Sequence, residues 1–72
     1  MMILYGKIRA YATAGTEITI TSGSGSTRTA TVPTGKTFVD VILPGLEEYT
    51  LTAGASTESL LLDYNAFMEV TL

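Results

Sequence analysis

Apolar and polar side chains alternate with a period of two residues along most of this chain. The clearest example is segment 16–21, in which Ile18 and Ile20 share one parity, while Glu17, Thr19 and Thr21 take the other. Successive side chains of a β-strand point to opposite faces, so this alternation is typical of a half-buried strand. The pattern predicts seven strands, over residues 2–12, 16–21, 27–32, 37–43, 49–53, 58–63 and 67–72.

The strongest strand signal lies in segment 35–53, which reads GKTFVDVILPGLEEYTLTA. We interpret it as a hairpin, two strands joined by a tight Leu-Pro-Gly turn, and expect the other strands to pair with it or pack on it. Gly6 is interpreted as a β-bulge in the first strand. No segment shows a clear apolar period of 3.6 residues. Short strands spaced about 8–12 residues apart are typical of a β-sandwich or barrel.

One parity of the predicted strands carries the residues that we expect to form the core. These residues are Ile18, Ile20, Val32, Val39, Val41, Leu43, Tyr49, Leu51, Leu62 and Val70. A slip of one residue in the register of segment 37–43 would exchange its two faces and bury Phe38 and Ile42 instead.

The chain has 72 residues and contains neither cysteine nor histidine. This length fits one domain, residues 1–72, and a domain of this size buries only about 60% of the surface of its unfolded chain. Small domains often gain stability from disulfides, a metal or oligomerisation. Disulfides and the usual zinc and haem ligands are excluded by composition, so we expect no cofactor. The remaining routes to stability are oligomerisation, which we expect, or an unusually well-packed core.

Seven acidic and four basic residues give a net charge of −3. The basic residues are scattered, at Lys7, Arg9, Arg28 and Lys36. They form no continuous basic patch, so we expect no nucleic-acid partner. The apolar run 1–5 is too short for a signal peptide or a membrane span, so we expect no membrane insertion.

Three short patterns carry candidate chemistry. Segment 35–37 (GKT) is similar to the end of a phosphate-binding loop, but Ala30 stands where that loop needs a glycine, and a strand follows instead of a helix, so we interpret it as a turn. Segment 23–26 (GSGS) offers a cradle for an anion, and its position between two alternating strands favours a hairpin tip. Four acidic residues carry carboxylate oxygens of the kind that bind calcium, but they lack the spacing of a calcium-binding loop. A role as solubilising charges at strand edges explains their presence equally well. They are Asp40, Glu47, Glu48 and Asp63.

The order of strands and turns resembles a known family of β-modules. Segments GTEITITSGSGSTRTATV and GKTFVDVILPGLEEYTLTA follow the family pattern G-x-x-V-x-V-T, a turn, G-x-x-x-F-x-V-x-L-P, then Y-x-V-x-A. The matching positions are Gly15, Ile18, Ile20, Gly35, Val39, Val41, Leu43, Pro44, Tyr49, Leu51 and Ala53. The pattern is similar to Ig-like or transthyretin-like modules of the carboxypeptidase-regulatory type, which occur in phage virion proteins and bacterial surface proteins.

The resemblance implies an all-β, small Ig-like (prealbumin-type) β-sandwich of about seven strands, with no catalytic residues to carry over. A stand-alone module with its own initial methionine and no signal peptide resembles the phage use more than the secreted one.

Several large apolar side chains fall on the parity opposite to the predicted core. They are Phe38, Ile42, Leu61 and Phe67, together with the N-terminal run 1–5. Single exposed apolar residues are normal, but a set that gathers into one patch indicates an interaction surface. We therefore predict a protein–protein interface that includes these four residues, with the register slip described above as the alternative.

Two functions remain open. The first is a non-enzymatic structural or assembly protein, a phage virion component such as a capsid-decorating or tail-associated subunit, located in the virion. Its partners would be further copies of itself, a larger virion shell protein, or both. The second is a small ligand- or glycan-binding surface module, at a bacterial cell surface or in the cytoplasm, with Tyr5, Tyr11 and Tyr64 as its aromatic contacts. We expect no enzymatic activity.

Overall fold

The computed structural model describes residues 4–72, which form seven β-strands and no helix. The strands are β1 (Tyr5–Tyr11), β2 (Glu17–Ser22), β3 (Thr27–Thr31), β4 (Phe38–Pro44), β5 (Glu47–Ala53), β6 (Ser56–Leu62) and β7 (Phe67–Thr71). They lie close to the seven predicted segments, so the prediction of a small all-β sandwich is confirmed. The start of the first predicted strand and part of the apolar run 1–5 lie outside the described residues.

The strands form two packed sheets. One sheet has three strands in the order β4-β1-β7, and the other has four in the order β3-β2-β5-β6. In the three-stranded sheet β1 is central: Ile8 pairs with Val41 of the antiparallel strand β4 and with Met68 of the parallel strand β7. All pairings within the four-stranded sheet are antiparallel.

The interpretation of segment 35–53 as a hairpin was wrong. Its two strands, β4 and β5, belong to different sheets, so Gly45 and Leu46 form an arch that crosses the sandwich. Pro44 ends β4 and has no N–H to donate to a hairpin ladder. The hydroxyl of Tyr49 donates a hydrogen bond of 2.6 Å to the Pro44 carbonyl and so ties the two ends of the arch together. Leu46 takes the left-handed backbone conformation, with φ of 55°.

The core lies between the sheets and confirms the predicted register of segment 37–43. Val41 and Leu43 are buried, whereas Ile42 is 61% exposed. The buried apolar residues are Ile8, Ala10, Ile18, Ile20, Val32, Val41, Leu43, Tyr49, Leu51 and Leu62. Eight of them were predicted. The other two predicted residues, Val39 on β4 and Val70 on β7, are only partly buried and pack against the core from the outer strands of the three-stranded sheet.

Gly6 does not form the β-bulge that was expected. The pairing of β1 with β4 is continuous from Tyr5 to Tyr11, and the side of Gly6 that would carry a Cβ faces β6 of the other sheet. A Cβ at this position would lie 2.7 Å from Cγ of Leu62. The glycine is therefore explained by the close approach of two packed sheets.

Candidate functional site on the three-stranded sheet

The outward side of the three-stranded sheet carries four of the five aromatic side chains that lie outside the core, together with four charged side chains. Buried Ile8 and Ala10 point inward from β1, so the alternate residues Lys7, Arg9 and Tyr11 point outward. The pairing places outward residues of β4 and β7 beside them. We call this surface the Arg9 face, and it comprises Tyr5, Lys7, Arg9, Tyr11, Phe38, Asp40, Ile42, Phe67, Glu69 and Thr71.

Arg9 lies at the centre of this face and contacts both outer strands. Its Nε and Nη2 donate hydrogen bonds of 2.8 and 3.0 Å to Oδ1 and Oδ2 of Asp40 on β4. Its guanidinium carbon lies 4.3 Å from the ring centroid of Phe38 and 5.3 Å from that of Phe67 on β7. Planar stacking on aromatic rings and a forked bond to a carboxylate are both suited to guanidinium, and together they hold three strands through one side chain.

The neighbours of Arg9 extend the same arrangement. Nζ of Lys7 lies 3.6 Å from Oδ2 of Asp40 and 5.6 Å from the ring centroid of Phe67. At the other end of the face, the rings of Tyr11 and Phe38 pack at a centroid distance of 5.9 Å with an angle of 58° between their planes. The face is therefore built from side chains that order one another.

The Arg9–Asp40 pair keeps its charges over a wide pH range. The hydrogen bond from Arg9 lowers the pKa of the Asp40 carboxyl, and the nearby charges of Arg9 and Lys7 lower it further. The same hydrogen bond raises the pKa of the Arg9 guanidinium. Asp40 thus compensates part of the positive charge of both basic residues.

The Arg9 face is neutral as a whole, although the chain is acidic. Lys7 and Arg9 balance Asp40 and Glu69, so the net charge of −3 resides on the rest of the molecule. Between these charges, Ile42 is 61% exposed and Phe67 is 50% exposed. A shallow depression lies between them, lined by Tyr5, Gly6, Lys7, Arg9, Ile42, Asn65, Ala66 and Phe67. An apolar, charge-balanced surface of this kind suits contact with another protein.

The structure brings together three of the four predicted interface residues. Phe38, Ile42 and Phe67 lie on the Arg9 face, with Phe38 half-buried because its ring packs against Arg9 and Tyr11. Leu61 lies elsewhere: it pairs with Glu48 on the four-stranded sheet and points away from the core. It is an isolated exposed apolar residue in that position and needs no functional explanation.

Sequence reasoning did not include Lys7, Arg9 and Asp40 in the site. The signal was present in β1, where Lys7, Arg9 and Tyr11 alternate with small or apolar residues. The sequence does not show which strands pair with β1. Pairing of β1 with both β4 and β7 brings Asp40 and Phe67 next to Arg9.

The outward side of the four-stranded sheet has a different character, because hydroxyl groups cover most of it. Thr50 and Ser59 form a cross-strand hydrogen bond of 3.1 Å, and Thr52 and Thr57 form one of 3.5 Å. The threonines of this side are Thr19, Thr21, Thr27, Thr29, Thr31, Thr50, Thr52 and Thr57. The contrast between the two sides makes the Arg9 face the stronger candidate for a protein contact.

The other candidate chemistry is dispersed or explained by turns. Gly35 and Lys36 of segment 35–37 belong to a turn in which Lys36 N–H donates to the Pro33 carbonyl, and β4 begins at Phe38. Segment 23–26 is the tip of the β2–β3 hairpin, closed by a hydrogen bond from Ser22 N–H to the Ser26 carbonyl. Across residues 4–72, no group of three or more acidic residues is placed to hold a metal ion.

A cleft opens where β3 and β4 meet at one side of the sandwich. Its floor is formed by Ile20, Leu43 and Tyr49, and Arg28 and Glu47 lie at its rim. Nη1 of Arg28 reaches the Ile42 carbonyl at 3.5 Å. Burial raises the pKa of the Tyr49 hydroxyl, and the charge of Glu47 raises it further.

None of the described residues forms a helix long and apolar enough to cross a membrane. Comparison of the chain with protein families, curated proteins and solved structures found no match.

Proposed function

We propose that this chain is a non-enzymatic structural protein, a virion subunit that decorates a capsid or associates with a tail and docks through the Arg9 face. The observation that carries the proposal is the position of Ile42 and Phe67. Both are large, apolar and at least half exposed, and they flank the ordered pair of Arg9 and Asp40 on one side of the sheet. The resemblance to Ig-like modules of phage virion proteins supports the same interpretation.

Burial of this face would add to the stability of a small domain. Each apolar side chain that moves from solvent into a contact contributes roughly 1.5–3 kcal/mol when fully buried. Arg9 and the aromatic rings are already ordered by one another, so fewer rotamers remain to be fixed on docking. The charges balance within the face, so a partner does not need a strong opposite charge to approach it.

The size of the face favours a large partner over a simple dimer. Three strands about 4.8 Å apart and five to seven residues long span roughly 15 by 20 Å. A stable interface usually buries about 800 Å² per partner, more than this footprint of about 300 Å² supplies alone. Many copies on a shell, each also contacting neighbouring copies, would combine several contacts of this size.

A pair of double variants tests the proposal. Ile42→Ser with Phe67→Ser removes the exposed apolar groups of the face, and Leu46→Ser with Leu61→Ser removes two equally exposed leucines outside it. Circular dichroism should show a β-fold for both. Light scattering of the purified protein and sedimentation with particles purified from the source should show that only the first double variant loses assembly.

Two results would contradict this function. One is a wild-type chain that stays monomeric at every concentration and is absent from purified particles by mass spectrometry. The other is equal assembly of the two double variants, which would mean that the Arg9 face is not the contact surface.

A glycan-binding surface module is the second candidate, and one observation favours it. Tyr5 and Tyr11 both point outward from β1 beside the charged groups of Lys7 and Arg9, and Tyr5 is 47% exposed. Aromatic rings next to polar groups also suit sugar rings. Tyr64 lies apart, in the connection between β6 and β7. A monomer that binds on a glycan array and loses this binding in Tyr5→Ala would favour the module over the structural subunit.

A further inference from the structure

The four outer strands of the sandwich differ in how well their edges are protected. Natural sheets protect edges with inward-pointing charges or with proline, which hinder the pairing of another strand. On β3 the inward position opposite Ile20 is Arg28, and on β6 the inward position opposite Leu51 is Glu58. Strand β4 ends in Pro44 and has one carbonyl covered by Arg28. Strand β7, with the sequence FMEVT, has none of these features.

The backbone of β7 presents free pairing groups at this edge. Lys7 N–H donates to the Ala66 carbonyl, and Leu72 N–H donates to the Tyr11 carbonyl, so the backbone groups of the even-numbered residues face β1. Because backbone groups alternate in direction along a strand, those of Phe67, Glu69 and Thr71 face away from β1. Within residues 4–72, no strand pairs with them.

The side chains of β7 define what a strand at this edge would need. Met68 and Val70 point towards the core but are only partly buried, so apolar neighbours would cover them further. Glu69 is exposed and lies beside Arg9 of β1 in the strand register, but the ion pairs of Lys7 and Arg9 both go to Asp40. Among the described residues, no basic group lies within 4.0 Å of the Glu69 carboxylate. A basic residue opposite Glu69 would compensate its charge.

We propose that the free edge of β7 receives an extended segment of a partner protein as a fourth strand of the three-stranded sheet. The segment alternates, with apolar residues beside Met68 and Val70 and a lysine or arginine opposite Glu69. This inference rests on the proposed function, because it names the contact by which the partner subunit is held next to the Arg9 face. Pairing by strand addition uses backbone hydrogen bonds for affinity and alternate side chains for specificity.

Charge argues against a second copy of this chain as the occupant. Two antiparallel β7 strands related by a two-fold axis through Glu69 would set two carboxylates directly opposite each other. Like charges in that position are destabilising. A basic segment of a different protein avoids this repulsion, and its positive charge is attracted to the Glu69 carboxylate.

The test uses the full chain and an acetylated, amidated peptide that contains the sequence TVKVF. In antiparallel pairing its lysine lies opposite Glu69 and its valines lie beside Met68 and Val70. Amide hydrogen exchange measured by NMR should show new protection at Phe67, Glu69 and Thr71, with little change at Met68 and Val70, whose amides already face β1. The charge-swapped peptide TVEVF should bind the wild-type chain roughly fivefold more weakly, and Glu69→Lys should reverse that preference.

Three outcomes would overturn the inference. The first is that the three amides gain no protection at saturating peptide. The second is that protection appears at the edges of β3, β4 or β6 instead. The third is that protection rises with protein concentration in the absence of peptide, which indicates that a second copy of the chain occupies the edge. The proposed function fails separately. If the peptide binds at β7 but the Ile42→Ser/Phe67→Ser variant assembles normally, the Arg9 face is rejected as the contact surface and the edge proposal is retained. If the peptide does not bind at β7 but that variant loses assembly, only the edge proposal is rejected.

Discussion

Arg9 and Asp40 face each other across β1 and β4 and join through two parallel hydrogen bonds of 2.8 and 3.0 Å. The two residues are 31 positions apart in the chain, so this pair forms only when the three-stranded sheet forms. It fixes the plane of the guanidinium against which Phe38 packs, and Phe67 lies close to the same group. The order of the Arg9 face therefore depends in large part on this ion pair.

Acid should weaken the fold through Asp40. The hydrogen bond from Arg9 lowers the pKa of this carboxyl in the folded protein, whereas an unfolded chain has a pKa of about 3.9. The stabilisation is therefore present above that value and is lost as the pH falls through the lower pKa of the folded state. In urea unfolding between about pH 2 and pH 7, the stability difference between wild type and Asp40→Asn should shrink as acid is added.

Glu17→Gln, which changes an exposed acid on the other sheet, is the control for the general effect of removing one negative charge. A stability difference between wild type and Asp40→Asn that stays constant over this range would show that the ion pair does not couple to folding.

Alkali should act through Tyr49. Burial raises the pKa of its hydroxyl above the usual value of about 10, so the folded state favours the neutral form more than the unfolded chain does. The contribution of the neutral Tyr49 hydroxyl to stability is fully present below the pKa of the unfolded chain. It is lost as the pH rises through the raised pKa of the folded state. Tyr49→Phe also removes the hydrogen bond to Pro44, so it should cost about 0.5–1.5 kcal/mol at neutral pH.

The measurement is the denaturation midpoint of wild type and Tyr49→Phe from neutral pH to above pH 10, with Tyr5→Phe as the exposed control. The two curves should converge in alkali. If they stay parallel, the arch between β4 and β5 does not depend on the protonated hydroxyl.

The core should respond to truncation at Leu51. This side chain is fully buried, so Leu51→Ala should cost about 2–4 kcal/mol through lost transfer energy and the remaining cavity. Leu61→Ala is the matched control, since Leu61 is 56% exposed and its truncation should change stability by less than about 0.5 kcal/mol. Urea unfolding of both variants checks the prediction, and equal losses would contradict the assignment of the two faces.

The strands and their faces could be read from the sequence because both depend on local alternation. Ile18 and Ile20 take the core side and Thr19 takes the outer side, as the period of two requires. The same pattern placed Val41 inside and Ile42 outside. These assignments need only neighbouring residues, and burial of one parity excludes a slip of register.

The assignment of strands to sheets could not be read in the same way. Segment 23–26 makes a hairpin, whereas Gly45 and Leu46 make an arch between sheets, although both are short breaks between alternating strands. The difference depends on which strand each neighbour pairs with, and β1 pairs with β4 at a separation of about thirty residues. For the same reason Leu61 was grouped with Phe67, although the two lie on different sheets.

Gly6 should be among the positions of the chain least tolerant of a larger residue. In Gly6→Ala the new Cβ would lie 2.7 Å from Cγ and Cδ1 of Leu62 and 2.8 Å from the Asp63 carbonyl oxygen. Leu62 is fully buried and the Asp63 contact is backbone, so neither moves without displacing β6 from β1. Overpacking of this kind typically costs about 1–3 kcal/mol.

Gly23→Ala is the control, because its Cβ would meet nothing closer than the Glu48 carbonyl oxygen at 3.6 Å, an ordinary contact. Its stability should stay within about 0.5 kcal/mol of wild type in urea unfolding. If Gly6→Ala is equally well tolerated, the two sheets can separate at this point without loss, and the packing of β6 under β1 does not require a glycine. A loss confined to Gly6→Ala would show that this contact sets the spacing of the sheets beneath the Arg9 face.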